Sequence, residues 1–172
     1  TVGDFQGVNA VAVGNQAGRT TQGASSVAVG VSAGTTTQGE SSVAVGNLAG
    51  NDTQGAQGVA VGYQAGKTTQ GIGSTAVGYN AALTNQADNS LAAGRSAGQD
   101  NQGATAVAVG YRAGEDTQGE SGTAVGFGAG LTTQALGATA IGYKAGQTTQ
   151  GQQAISVGYL AGSGAYTHRT PP

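Results

Sequence analysis

Nine glutamines stand sixteen residues apart: Gln22, Gln38, Gln54, Gln70, Gln86, Gln102, Gln118, Gln134 and Gln150. A primary amide both donates and accepts, so stacked copies can hydrogen-bond along a column, as ladders in cross-β assemblies do. That chemistry is structural rather than catalytic. A second column in the same register holds Thr21, Thr37, Thr53, Thr69, Thr117, Thr133 and Thr149, with Asn85 and Asn101 substituting. Regular hydroxyl rows on a flat β-face could order water and bind ice, but strand propensity and turn hydrogen bonding explain them more simply. The adjoining column of Thr20, Thr36, Thr68, Thr84, Thr132 and Thr148 is interrupted by Asp52, Asp100 and Asp116, which counts against an ice-binding face.

A third column carries Tyr63, Tyr79, Tyr111, Phe127, Tyr143 and Tyr159, mixed with Asn15, Val31, Asn47 and Arg95. Aromatic rings with a polar tip suit glycan or protein contact, and these gather in the C-terminal half as a candidate receptor-contact stripe. The competing expectation is that the rings stack on one another or cover a seam between protomers.

Reaction chemistry finds no foothold. The segment Gly62, Tyr63, Gln64, Ala65, Gly66, Lys67, Thr68 is close to a phosphate-binding loop, but its first glycine stands one residue too near, and other copies keep that spacing without the lysine. Asp4, Asp52, Asp100 and Asp116 do not reproduce the nonapeptide calcium repeat. His168 is the sole histidine and has no partner for metal ligation or base catalysis. The expectation is a non-enzyme without cofactor or metal.

Composition narrows the partners. A net charge of −2 offers no basic face to a phosphate backbone, so nucleic acid is not an expected partner. There is no cysteine for disulfides. No apolar run approaches the ~18 residues of a membrane span, and no charged, apolar leader is present, so direct membrane insertion is not expected. Because the chain opens on Thr1 rather than Met, it is expected to be a processed piece or fragment whose anchor lies elsewhere.

These columns need a scaffold that returns every sixteen residues. The sentence V-A-V-G-x-x-A-G-x-T-T-Q-G-x-x-S recurs ten times without insertion, starting at Val11, Val27, Val43, Val59, Thr75, Leu91, Val107, Thr123, Thr139 and Ile155. So short a period is simplest as one rung of a solenoid. Counting positions from each start, Val-Ala-Val at 1 to 3 reads as a strand, and Gly at 4, present in all ten copies, ends it. A second extended piece is expected through Ala at 7, with T-Q-G turning the chain back. The resulting fold class is all-β, a parallel β-roll of about ten sixteen-residue rungs, one domain over 1–162 with an irregular tail over 163–172.

Within the rungs no charge falls at positions 1 to 4, 7, 8 or 11 to 13, so all of these are expected to be covered. Ala at 2 and 7 is read as a tightly packed interior. The flanking valines then face away from the coil. Val11, Val13, Val27, Val29, Val43, Val45, Val59, Val61, Val107 and Val109 would form an apolar stripe that monomers avoid, and hence an oligomer interface. Alternation alone leaves the reverse assignment, valine inside and alanine outside, open. Rungs five and six, with Ala82, Asn85, Ala93 and Asn101 at variant positions, are expected to be the least stable.

The run Ser42, Val43, Ala44, Val45, Gly46, Asn47, Leu48, Ala49 resembles the heads of YadA-like trimeric autotransporter adhesins and hemagglutinin-like repeats, and the likeness recurs along essentially the whole chain. The resemblance implies a left-handed β-roll, three chains about one axis and a role in adhesion. The usual rung of that family is shorter, and the extra residues fall in A-G-x-T-T-Q-G, as in Ala65, Gly66, Lys67, Thr68, Thr69, Gln70 and Gly71. The longer variant looks more like repeats of virus and phage fibre proteins. The resemblance thus leads to the expectation of a structural or adhesive module of a homotrimeric fibre on a virion surface, contacting a host-surface glycan or protein. The alternatives are a bacterial adhesin head on the cell surface and an ice-binding solenoid.

Overall fold

The structure, a computed structural model, describes residues 5–164. The chain winds into a parallel β-solenoid with two strands per rung. Odd-numbered strands, from β1 (Phe5–Gln6) and β3 (Thr21–Gln22) to β19 (Thr149–Gln150), form one ten-stranded sheet. Even-numbered strands, from β2 (Val11–Val13) and β4 (Val27–Val29) to β20 (Ile155–Val157), form the other. Pairing is in register throughout, Val11 opposite Val27 and Gln22 opposite Gln38, so every sequence column is a straight spatial column. Of the tail expected over 163–172, only Ser163 and Gly164 fall within the described residues, and Asp4 and His168 lie outside them.

The interior is alanine. Ala28, Ala44, Ala60 and their equivalents at position 2, and Ala33, Ala49, Ala65 and theirs at position 7, are buried in every rung but the end ones, where Ala12 and Ala161 are half-buried, which resolves the choice left open by alternation. Small side chains let the walls of the coil approach closely, and any larger one would overfill the gap.

Two expectations need correcting. The second strand is not at position 7, which lies in a turn; it is Thr-Gln at positions 11 and 12. A two-residue strand sends its side chains to opposite faces, so the threonines at 11 are exposed rather than covered, and the glutamines point inward. Position 16 is also interior, with Ser26, Ser42, Ser74 and Ser90 buried. Each of these hydroxyls donates to a carbonyl three residues earlier, as Ser26 does to Gly23 O at 2.7 Å.

Glycine serves two distinct purposes. At position 4, φ runs from +121° at Gly158 to +135° at Gly78, a conformation that L side chains rarely adopt. A Cβ on Gly110 would sit 2.5 Å from Gly126 O. At position 13 φ is ordinary, and the constraint is proximity: a Cβ on Gly23 would lie 2.5 Å from Gly39 C. Ala87 and Ala135 occupy that position in two rungs. Their amide bonds to the next rung are 3.0 Å, against 2.7 Å at Gly71 and 2.6 Å at Gly119, so the coil opens slightly to admit the methyl.

Candidate functional site

The inward glutamine column holds the coil together and offers nothing to a ligand. Each amide crosses the interior and donates from Nε2 to the position 1 carbonyl of its own rung, from Gln22 to Val11 O at 2.8 Å through Gln150 to Thr139 O at 2.6 Å. The expected amide-to-amide ladder exists from Gln86 to Gln150, with steps of 3.2, 3.2, 3.1 and 3.3 Å. Ahead of it the Oε1 atoms of Gln22, Gln38, Gln54 and Gln70 are buried without a partner. The column therefore ties the two sheets in every rung and ties rung to rung only in the second half.

The candidate functional surfaces are the outward columns. On the Val-Ala-Val sheet, positions 1 and 3 flank the buried alanine and face solvent. Val27, Val29, Val43, Val45, Val59, Val61, Val107 and Val109 are half-buried, and Val11 and Val13 at the first full rung are exposed. Thr75, Thr123 and Thr139 interrupt the first column and Ala93 the second, but no charge enters either. Adjacent β-strands lie about 4.8 Å apart, so ten rungs carry this double apolar stripe over roughly 50 Å.

One corner away, position 5 carries the aromatic stripe. Tyr63 and Tyr79 stack with centroids 5.1 Å apart. Tyr111, Phe127, Tyr143 and Tyr159 stack in turn at 5.0, 5.1 and 5.3 Å, with ring planes within 21°. Arg95 fills the missing step, its Cζ 5.4 Å from the Tyr79 centroid and 5.7 Å from that of Tyr111. Stacked aromatics and a cation over a ring face each add stability beyond buried area. Sequence reasoning placed Arg95 in this column but not in the stack; its shared register with Tyr79 and Tyr111 was the available signal. The tyrosines from Tyr63 to Tyr143 stay exposed, at 38% for Tyr111 and 48% for Tyr79, because stacking covers faces and leaves edges.

Charges flank this stripe. Lys144 Nζ lies 5.6 Å from the Tyr143 centroid, and Arg112 pairs with Glu115. Among the described residues no group of His, Cys, Asp and Glu is placed to hold a metal ion. On the opposite sheet the position 11 row is broken by Asn85, which donates to Asn101 Oδ1 at 3.1 Å. Thr84 and Thr132, in the neighbouring column, turn their hydroxyls onto the backbone carbonyls of Asp100 and Thr148. Among the described residues no helix is long and apolar enough to cross a membrane.

Comparison with known proteins returns no matching family model, no similar curated protein and no similar solved structure.

Proposed function

We propose that this chain is a structural and adhesive module of a homotrimeric fibre, of the kind carried by viruses and phages, that presents a host-attachment surface. The observation that carries this reading is the double column of outward aliphatic side chains along the Val-Ala-Val sheet, without a charge from Val11 to Val157. An apolar patch of that length on a soluble protein calls for a cover, and a straight in-register column is self-complementary to copies of itself. The resemblance to YadA-like heads and fibre repeats supplies the number three.

Attachment would then work by avidity. A stiff rod loses little conformational entropy on binding, and three copies multiply weak contacts along the aromatic stripe. The same mechanism serves a bacterial adhesin head, and the residues at hand support either surface. Ice binding has weaker support, because Asp52, Asp100 and Asp116 and the backbone-directed hydroxyls of Thr84 and Thr132 prevent a regular two-dimensional hydroxyl lattice. Solution mass by light scattering tests the reading: a trimer is expected, and a stably folded single chain at micromolar concentration overturns it.

A further inference from the structure

We infer that the Tyr79, Arg95, Tyr111 segment of the aromatic stripe binds the carboxylate or sulfate groups of a linear acidic polysaccharide, an inference that rests on the attachment role proposed above. Arg95 is held between two rings, so its planar guanidinium is ordered before any ligand arrives. The two rings hold the head group in place, and because the residue is exposed its N–H donors remain open to form a paired hydrogen bond to an oxyanion. Arg95 is exposed and, among the described residues, has no carboxylate within ion-pair distance, whereas Arg112 is already paired with Glu115.

The charge distribution favours the same ligand. Columns 5 and 6 hold Arg95, Arg112 and Lys144 and no acidic residue in any rung, although the whole chain is net negative. The acids sit at positions 9, 10 and 14 instead. Lys144 repeats the cationic contact three rungs beyond Arg95, roughly 15 Å along the rod, with the Tyr111 hydroxyl between them and that of Tyr143 beside Lys144. A polymer bearing anions at intervals along a straight chain fits that line, and its sugar hydroxyls meet the phenol edges. Single-stranded nucleic acid does not fit, because its bases bind through exposed ring faces and these are covered by neighbouring rings.

The test is calorimetric titration of the purified full chain with a heparin-derived oligosaccharide, a hyaluronan oligosaccharide and neutral dextran, with solution mass recorded for each sample. Binding of the acidic probes is expected to weaken with added salt, and Arg95→Gln is expected to reduce it about tenfold or more. Arg95→Lys should not restore it, since an ammonium cannot reproduce the planar fork of paired donors. Unchanged affinity in Arg95→Gln, equal binding of dextran, or no binding by an intact trimer overturns the inference and leaves the fibre reading standing. A monomer that still binds heparin through Arg95 overturns the fibre reading and supports this site.

Discussion

Gln86 Nε2 donates to Gln102 Oε1 across 3.2 Å inside the coil, and the ladder begins there: Gln86 Oε1, facing the preceding rung, is buried without a partner. The two halves of the rod therefore differ in how tightly one rung is tied to the next, although their sequence motif is the same. Gln102→Ala should cost more than Gln38→Ala. The first removes an acceptor for Gln86 and a donor to Gln118 in addition to the bond to Leu91 O, whereas Gln38 donates only to Val27 O. A difference of about 1–2 kcal/mol in unfolding free energy is expected from denaturant titration.

Glycine substitutions should separate conformational from steric demand. Gly110→Ala places a side chain at φ +130° with its Cβ 2.5 Å from Gly126 O, and is expected to destabilise by about 3 kcal/mol or more. Gly119→Ala has ordinary φ, and its Cβ would lie 2.7 Å from Ala135 C, a contact that a slight opening of the coil relieves at Ala87 and Ala135, so it should cost less, about 1–2 kcal/mol. Melting temperatures of the two variants decide this.

A charge on the apolar stripe should break the proposed assembly without breaking the coil. The Val45 side chain points away from the alanine interior, so Val45→Lys with Val61→Lys leaves Ala44 and Ala60 packed as before. If the chain assembles as proposed, a fall from trimer to monomer mass in light scattering with retained β-sheet circular dichroism is expected. An unchanged mass would place the interface elsewhere.

Phe127 stacks on Tyr111 at 5.0 Å and on Tyr143 at 5.1 Å, so Phe127→Ala removes two ring pairs at once. A loss of about 0.5–1.5 kcal/mol per pair is expected, together with a weaker near-ultraviolet dichroism signal. Phe127→Tyr should keep both.

Rungs five and six should open before rungs seven and eight. Ala82 holds φ +46° where other rungs have glycine, the Oδ1 of Asn80 and the Oε1 of Gln86 are buried without partners, and Ala93 thins the outward apolar column. Backbone amides over 75–106 are expected to exchange faster with deuterium than those over 107–138. Slowest exchange in that stretch would contradict the packing described above.

Much of this architecture was legible in the chain. An unbroken sixteen-residue period requires equivalent residues to stack, and β-branched alternation identifies Val-Ala-Val as a strand. The avoidance of charge at Ala28, Ala33 and Gln38 marked positions that are indeed interior. The same signal misled at Thr37, which carries no charge yet is exposed, because absence of charge does not separate a buried side chain from an outward one on a short strand. The second strand was missed for a related reason: Thr-Gln has no periodicity to read in two residues.

What sequence alone determined is the column structure, since a strict period with glycine at position 4 permits only in-register stacking of nearly identical rungs. Tertiary structure decided what each column does. Positive φ at positions 6 and 15 falls on residues as unlike as Leu48, Arg112 and Ser41, held there by amide bonds to the previous rung such as Leu48 N to Val31 O at 3.0 Å and Arg112 N to Arg95 O at 2.9 Å. No local preference of leucine or arginine announces that conformation. Likewise the inward reach of Gln102 and the placing of Arg95 between two rings depend on contacts across sixteen residues, which exist only once the coil has closed.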